Sequence, residues 1–250
     1  MSIQKKEGFD MGTVIKLPSG IQVEISPIDG KTERMLEDKK LVQSGAFIDK
    51  YLASRIVSID GDDTLTPQKK EKAVLDMLSG DRNFLLYKIR VDSYGPEMIF
   101  NQDCPECKKT NGYKVDLDQL LEDEILKVYP YRTEPIRVEL PRSGGYAEIQ
   151  HMTGHDERKM AQFKDNPLSG SMLLRTSILN GHPPTRKEFD ELVGEDLAAI
   201  RGAIKESGKA GLVALLELDC QYCGKTYEVG LASIPDFFVP TKTNTESATE

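Results

Sequence analysis

The chain has 250 residues, of which 38% are hydrophobic and 30% charged, and it carries 33 Lys and Arg against 41 Asp and Glu. A chain of this length buries roughly three quarters of its extended-chain surface, enough for a sizeable core in one large domain or two small ones. The net charge of −8 argues against a protein that binds nucleic acid or an anionic membrane non-specifically, since such binding needs a cationic face. No run of 18 apolar residues is present, and the first residues lack the apolar region of a signal peptide. We therefore expect a protein without a membrane span in a reducing cytosol. In that compartment, metal ligands or free thiols are a better interpretation of the four cysteines than disulfides.

The chain begins with a strand pattern and continues into a helical one. Apolar and polar residues alternate over residues 13–25, with a Pro-Ser-Gly turn at 18–20, which predicts a half-buried β-hairpin. Residues 31–59 have helical periodicity with a break at 44–45, so we expect helices there.

Two further helices are predicted before the first pair of cysteines. Thr66 as N-cap and Pro67 at the first helical position indicate where one begins. Another is expected from Ser79 to a stop at Gly95, and a strand at residues 98–100 then leads into the cysteines.

The second half of the chain repeats the motifs of the first half in the same order: a hairpin turn, a helix start, a Cys-x-x-Cys pair and the strand after it. Matched positions are Leu17 and Leu140, Gly30 and Gly154, Cys104 and Cys220, and Leu117 and Leu231, which lie 123, 124, 116 and 114 residues apart. We interpret this order as an internal duplication. It predicts an α+β fold of two tandem pseudo-repeats, residues 1–125 and 126–240, each with a β-hairpin, helices and a knuckle hairpin. Residues 118–135 would form the linker, and residues 241–250 a mobile polar tail.

The two Cys-x-x-Cys pairs, Cys104 with Cys107 and Cys220 with Cys223, are the clearest chemical signal. Zinc binds four thiolates at tetrahedral positions with sulfur about 2.3 Å from the metal, and a Cys-x-x-Cys turn supplies two of them. The pairs of a zinc ribbon usually lie within about 20 residues of each other, and the duplication explains the larger separation here, with one pair per repeat. We predict one structural, zinc-ribbon-like Zn²⁺ site shared by both repeats. Four cysteines in two knuckles favour zinc over iron but do not decide between them.

The alternative interpretation of the cysteines is buried thiols or a redox-active dithiol. A thioredoxin-type pair precedes a helix, whereas both pairs here lead into strands. A site with four thiolates also leaves no open position for water, so we expect the metal to be structural and not catalytic.

Nothing else in the sequence predicts catalytic or cofactor-binding residues. His151, His155 and His182 belong to no His-Glu-x-x-His pattern, so we expect solvated or hydrogen-bonded side chains. Neither a Walker A motif nor a Gly-x-Gly-x-x-Gly loop occurs. Residues 212–218 are nearly all apolar and predict a strand buried on both sides. The Phe-rich segment 234–240 either packs on its own domain or inserts into a partner.

Several motifs of the first half occur together in a known family. They are Leu-Pro-Ser-Gly at 17–20, Asp-Gly-Lys-Thr-Glu-Arg at 29–34, the block LSGDRNFLLYKIRVDSYGPEMIF at 78–100 and Cys-Pro-Glu-Cys at 104–107. This set resembles the T-even-type baseplate protein family of contractile-tailed phages. The resemblance covers most of residues 12–121 and, through the repeat, extends to about residue 240.

The resemblance implies a structural part of the virion, placed in the tail baseplate near its hub and assembled in the bacterial host cytoplasm. It implies contacts with other baseplate or tail proteins and no catalysis. A non-structural chaperone of tail assembly is one alternative. A zinc-ribbon module that binds nucleic acid is another, but only Lys108, Lys109 and Lys225 beside the knuckles favour it, against the net charge of −8.

Overall fold

A computed structural model describes residues 12–161 and 172–240, so the tail predicted at 241–250 lies outside the described residues. The helices in chain order are α1 (Gly30–Glu33), α2 (Lys39–Gln43), α3 (Phe47–Arg55), α4 (Pro67–Asp76), α5 (Ser79–Tyr94), α6 (Leu117–Glu122), α7 (Gly154–Met160), α8 (Arg186–Glu191), α9 (Gly194–Ser207) and α10 (Pro235–Phe238). The strands are β1 (Thr13–Lys16), β2 (Gln22–Ile25), β3 (Ile56–Ile59), β4 (Glu97–Asp103), β5 (Thr110–Asp116), β6 (Lys127–Tyr129), β7 (Ile136–Glu139), β8 (Tyr146–Ile149), β9 (Thr176–Leu179), β10 (Gly211–Val213), β11 (Leu215–Asp219) and β12 (Thr226–Gly230). The fold is therefore mixed helix and sheet, and the predicted α+β class is confirmed.

The hairpin predicted at residues 13–25 is present as β1 and β2, paired antiparallel from Thr13 opposite Ile25 to Lys16 opposite Gln22. The helix predicted up to residue 59 was wrong at its end. It stops at Arg55, and residues 56–59 form β3, which pairs with β2 and completes a three-stranded sheet. Three of these four residues are β-branched, and pairing with β2 overrides the helical period.

A second three-stranded sheet, in the order β7-β8-β9, has the same antiparallel topology. Both sheets contain a register shift in the middle strand, at Glu24/Ile25 and at Glu148/Ile149. The last strand of each sheet is followed by a turn with positive φ, at Asp60-Gly61 and at Asn180-Gly181.

The predicted helix boundaries near residues 66, 79 and 95 are confirmed. Thr66 caps α4, its hydroxyl accepting a hydrogen bond from the Lys69 backbone N–H at 3.3 Å. Gly95 ends α5 with φ of +78°, a conformation that glycine adopts without steric cost.

Two predicted segments differ from the structure. The linker predicted at 118–135 contains β6, which pairs with β10, because three residues are too few to show a periodicity in the sequence. Residues 212–218 do not form one strand buried on both sides. They belong to β10 and β11, separated at Ala214, and the side chain of Leu215 is 43% exposed.

The buried hydrophobic residues form two clusters. The smaller one lies within residues 140–203. The larger one combines residues 15–126 with the C-terminal part of the chain. Its C-terminal members are Leu212, Leu216, Leu218, Val229, Leu231, Ile234, Phe237 and Phe238. The Phe-rich segment thus packs on its own chain, one of the two outcomes that the sequence allowed. Within the described residues, no helix has the length and apolar character to cross a membrane.

Candidate metal centre

Two β-hairpins hold the two pairs of cysteines in turns of the same geometry. The hairpin β4–β5 closes at Asp103 opposite Thr110, and the hairpin β11–β12 closes at Asp219 opposite Thr226. In the first turn the Cys104 N–H donates to the Lys109 carbonyl at 3.0 Å, and in the second the Cys220 N–H donates to the Lys225 carbonyl at 2.9 Å.

Each turn also requires a left-handed backbone residue directly after its second cysteine. Lys108 has φ of +60° and Gly224 has φ of +67°. Glycine adopts this conformation freely, whereas lysine pays a steric cost. The first knuckle is therefore held in its shape partly by its surroundings.

Leu117 and Leu231, which the predicted duplication matches, lie at equivalent places in the two hairpins. Each begins a helical turn directly after the second strand of its hairpin. The Leu117 N–H donates to the Pro96 carbonyl at 2.9 Å and the Leu231 N–H to the Ala214 carbonyl at 3.0 Å, and these two acceptors directly precede β4 and β11. Strand β5 has seven residues and β12 has five, so the offset between the halves falls from 116 at the cysteines to 114 at these leucines.

The four cysteine sulfur atoms converge, all lying within 4.8 Å of one another. The Sγ atoms of Cys104 and Cys223 are 3.7 Å apart, and those of Cys107 and Cys220 are 3.6 Å apart. A disulfide needs about 2.05 Å, so these are free thiols. Four sulfurs about 2.3 Å from a central zinc lie about 3.8 Å from each other, the edge of the tetrahedron. The observed pairs are close to that edge, and the cluster fits a tetrahedral metal.

Burial of the cluster is uneven. Cys104 and Cys220 are buried, Cys107 is partly buried and Cys223 is exposed. The first cysteine of each pair thus lies on the side of the core, and the second faces the end of its hairpin.

Asn111 connects the two hairpins at the cluster. Its side chain is buried, its Nδ2 lies 3.6 Å from the sulfur of Cys220, and its Oδ1 accepts a hydrogen bond from the Gln221 backbone N–H at 2.9 Å. An N–H donor directed at a thiolate sulfur stabilises the charged form. This role of Asn111 could not be predicted from the sequence, because it depends on contact with a residue 109 positions away.

Hydrogen bonds and neighbouring sulfur atoms shift the pKa values of the second pair in opposite directions. Burial raises the pKa of the Cys220 thiol, but backbone hydrogen bonds from Cys223 and Tyr222 and the adjacent Cys107 thiol outweigh it and lower that pKa to about 6. For Cys223 a backbone hydrogen bond from Lys225 lowers the pKa, but burial and the other three sulfurs raise it to about 12. A second thiolate beside the first is repelled by it. A divalent cation would offset this repulsion and allow both to ionise.

The three histidines make separate contacts and do not approach a common ligand. His151 is buried, with Nδ1 2.8 Å from the Ser207 carbonyl oxygen and Nε2 3.1 Å from the Glu134 carbonyl oxygen. His155 lies against Asp76 and His182 against Glu188. Within residues 12–161 and 172–240, the four cysteines are the one group of His, Cys, Asp or Glu with the geometry to hold a metal ion.

Comparison with known families gives a match. The family model described as T4 bacteriophage base plate protein matches residues 13–143. The chain belongs to this family. The resemblance drawn from the motifs between residues 17 and 107 is thereby confirmed.

No curated protein and no solved structure matches the chain. The baseplate family match includes Cys104 and Cys107 but ends before Cys220. Membership of the family supports a structural role in a phage baseplate, which implies a place in the virion tail and interactions with other tail proteins.

Proposed function

We propose that this protein is a structural component of the hub region of a contractile phage tail baseplate, and that one Zn²⁺ bound by Cys104, Cys107, Cys220 and Cys223 fixes its shape. It is assembled in the host cytoplasm and acts through contacts with other baseplate proteins, without catalysis. The observation that carries the proposal is the convergence of four sulfur atoms within 4.8 Å in a chain of the baseplate family.

The donor set supports a structural zinc ion. Four thiolates complete a tetrahedral shell and leave no position for a reacting water. Two sulfurs come from each hairpin, and the first cysteines of the two pairs, Cys104 and Cys220, are 116 residues apart. The metal would therefore fasten two distant parts of the chain together. Binding free energy at such a site is also folding free energy.

The proposal includes a duplication, with residues 1–125 and 126–240 as two repeats that meet at the metal. Support comes from the shared strand order, register shift and knuckle turn. A further similarity concerns Asp81 and Asp196, each in the first turn of a long helix. Asp81 accepts a hydrogen bond from the Ser19 N–H at 3.0 Å, and Ser19 lies in the turn between β1 and β2. Asp196 accepts one from the Arg142 N–H at 2.8 Å, and Arg142 lies in the turn between β7 and β8.

The metal is tested by replacing one ligand. Cys220→Ser is expected to abolish stoichiometric zinc binding and lower the free energy of unfolding by several kcal/mol, about the scale at which structural zinc contributes to folding. Tyr222→Ala is the matched control, because Tyr222 lies in the same turn, is 58% exposed and is not a ligand. Metal analysis, thiol titration and thermal unfolding of both variants are the measurements.

Retention of zinc by Cys220→Ser, with an unchanged melting temperature, would contradict the site. The parent protein should contain one zinc per chain and no reactive thiol until it is denatured.

The structural role is tested on purified tails or virions. We expect the protein to be present in stoichiometric amounts in mature baseplates, detected by quantitative mass spectrometry. Presence in assembly intermediates with absence from finished particles would instead identify an assembly chaperone. Nucleic acid is not expected as a partner. Salt-dependent binding of added DNA, lost when Lys109 and Lys225 are replaced, would contradict this expectation.

A further inference from the structure

Strand β6 is the outer strand of a two-stranded sheet, with β10 on one side and, among the described residues, no strand on the other. Val128 lies directly opposite Leu212. The Leu212 carbonyl accepts a hydrogen bond from the Asn83 side chain at 3.0 Å, on the side of β10 that faces α5. The Leu212 carbonyl therefore points away from β6, and Leu212 and Val128 form a pair without hydrogen bonds between them. The N–H and C=O of Val128 then point away from β10, to the open edge of β6. This edge can accept a further strand.

Apolar side chains that the fold does not cover surround this edge. Ile125, Val128 and Leu215 are 48%, 46% and 43% exposed, and they are three of the seven large hydrophobic residues exposed in the described part of the chain. Ile125 and Leu215 line one hollow of about 350 Å³, and Val128 lines an adjoining one of about 340 Å³. Such concentration of exposed apolar side chains at a free strand edge is typical of a binding surface.

The same surface carries an excess of negative charge. Glu217 lies directly opposite Glu228 in the β11–β12 ladder, and Glu124 lines the same hollow. Like charges opposite each other destabilise a sheet. Within the described residues none of these three carboxylates forms a salt bridge, and Lys127 is the one basic residue lining the hollow. The charge arrangement therefore fits a basic ligand.

We propose that this β6 surface (Glu124, Ile125, Val128, Leu215, Glu217 and Glu228) receives an extended segment of a neighbouring tail protein in which apolar residues alternate with Lys or Arg. The segment would pair with the main chain of Val128, place the apolar side chains of one face against Val128, and set the basic side chains of its other face in the hollow that the carboxylates share with Ile125 and Leu215. Strand addition gives affinity through main-chain hydrogen bonds and specificity through alternate side chains. The identity of the neighbour as a tail protein rests on the proposed function, whereas the chemistry of the segment does not.

The chemistry is tested on the purified full-length protein with two short synthetic peptides, one alternating Val and Lys and the other alternating Val and Glu. We expect the Val-Lys peptide to bind, with an affinity that falls as salt rises, and the Val-Glu peptide not to bind. Val128→Ser and the double variant Glu217→Lys/Glu228→Lys should each weaken binding of the Val-Lys peptide by at least about tenfold. This is a typical scale for losing a central contact or reversing a charge. Fluorescence anisotropy is the measurement.

Val42→Ser is the matched control, because Val42 is also 46% exposed but belongs to α2. Its affinity for the Val-Lys peptide should equal that of the parent. Zinc content and unfolding midpoint show whether each variant is folded. Equal binding of both peptides, no binding of the Val-Lys peptide, or equal effects of Val42→Ser and Val128→Ser would overturn the proposal.

The source of the segment is tested in assembled tails with a photo-crosslinking residue at position 128 and, as control, at position 42. We expect position 128 to crosslink to one extended, basic and apolar segment of a different tail protein. Crosslinks to a second copy of this chain, together with a dimer in solution that Val128→Ser dissociates, would overturn that assignment. If the protein is present in tails but position 128 forms no crosslink, this inference fails while the proposed function stands.

Discussion

At the scale of single residues, two glycines bring the backbones of the two halves into close contact. Gly80, in the first turn of α5, forms a bridge with Gly211 at the start of β10. A Cβ atom on Gly80 would overlap the Ala210 carbonyl oxygen and lie 2.6 Å from the Gly211 Cα, both backbone atoms that cannot rotate away. Glycine at position 80 is required here by space and not by backbone conformation.

This contact predicts opposite effects for two glycine-to-alanine substitutions in helices. Gly80→Ala should lower the free energy of unfolding by at least about 2–3 kcal/mol, because the backbone of β10 must move away. Gly202→Ala should raise it by about 0.5–1 kcal/mol, because Gly202 is an exposed residue of α9 with no atom near its would-be Cβ. Chemical denaturation of both variants measures the difference, and a Gly80→Ala protein as stable as the parent would contradict the close packing.

The residues of the metal centre were predictable from the sequence only in part. Cys104 and Cys220 were found because a Cys-x-x-Cys turn is a short-range pattern. Asn111 could not be found, because its role arises from a residue about 110 positions away. The same holds outside the metal centre for Gly80, whose partner in the contact with β10 is about 130 positions away. No local preference of an asparagine in a strand or a glycine in a helix distinguishes these positions.

At the scale of helices and strands, a cluster of charged side chains joins α3, α5 and α7. Asp49 of α3 is 1% exposed and accepts a hydrogen bond from Arg82 of α5 at 2.7 Å. It accepts a second from Nε of Arg158 of α7 at 2.9 Å. One carboxylate thus pairs with two guanidinium groups, and removing it would leave both without their central partner.

Replacing Asp49 is therefore expected to be costly. Asp49→Ala should destabilise the protein by about 3 kcal/mol, the lower end of the range for breaking a buried ion pair, because Arg82 loses its buried partner and keeps only the partly exposed Glu157 at 3.0 Å. Glu191→Ala is the control, since Glu191 pairs with Lys187 on the surface and such pairs contribute about 0–1 kcal/mol. Urea unfolding compares the two, and equal, small effects would show that the cluster does not join these helices energetically.

Elements with long-range partners were the ones that sequence patterns assigned wrongly. Strand β3 follows α3 without a glycine or proline between them, so the helical period continued through residues 56–59. The β-branched residues Ile56, Val57 and Ile59 were a signal for a strand, but a strand of four residues is stable only when β2 is available to pair with it. By contrast, Thr66 and Gly95 were predicted correctly because capping is local.

At the scale of the whole molecule, the division of the core does not follow the division of the sequence. The larger hydrophobic cluster joins residues 15–126 to residues 212–238, so the last hairpin of the chain packs with the first half. Phe238 of α10 illustrates this, because its ring centroid lies 5.2 Å from that of Phe47 and 5.4 Å from that of Tyr51. The repeats proposed for the sequence are consequently not expected to be independent folding units.

The protein should therefore unfold in a single transition. Near-ultraviolet and far-ultraviolet circular dichroism are expected to give the same midpoint, because the first half loses part of its core when the last hairpin detaches. Two resolved transitions, or a stable fold of residues 12–125 alone, would contradict a shared core.

The separation of the cysteine pairs has a further consequence during synthesis of the protein. Cys220 follows Cys104 by 116 residues, so at about 5–20 residues per second the first pair is made roughly 6–23 s before the second. During that interval Cys104 and Cys107 are two of the four thiols of the cluster without the other two, and the first half of the chain lacks Phe237 and Phe238 from its core. A chain that stops early can neither complete the four-sulfur cluster nor close its core. Completion of the cluster thus requires that synthesis has passed Cys223, the last of the four cysteines.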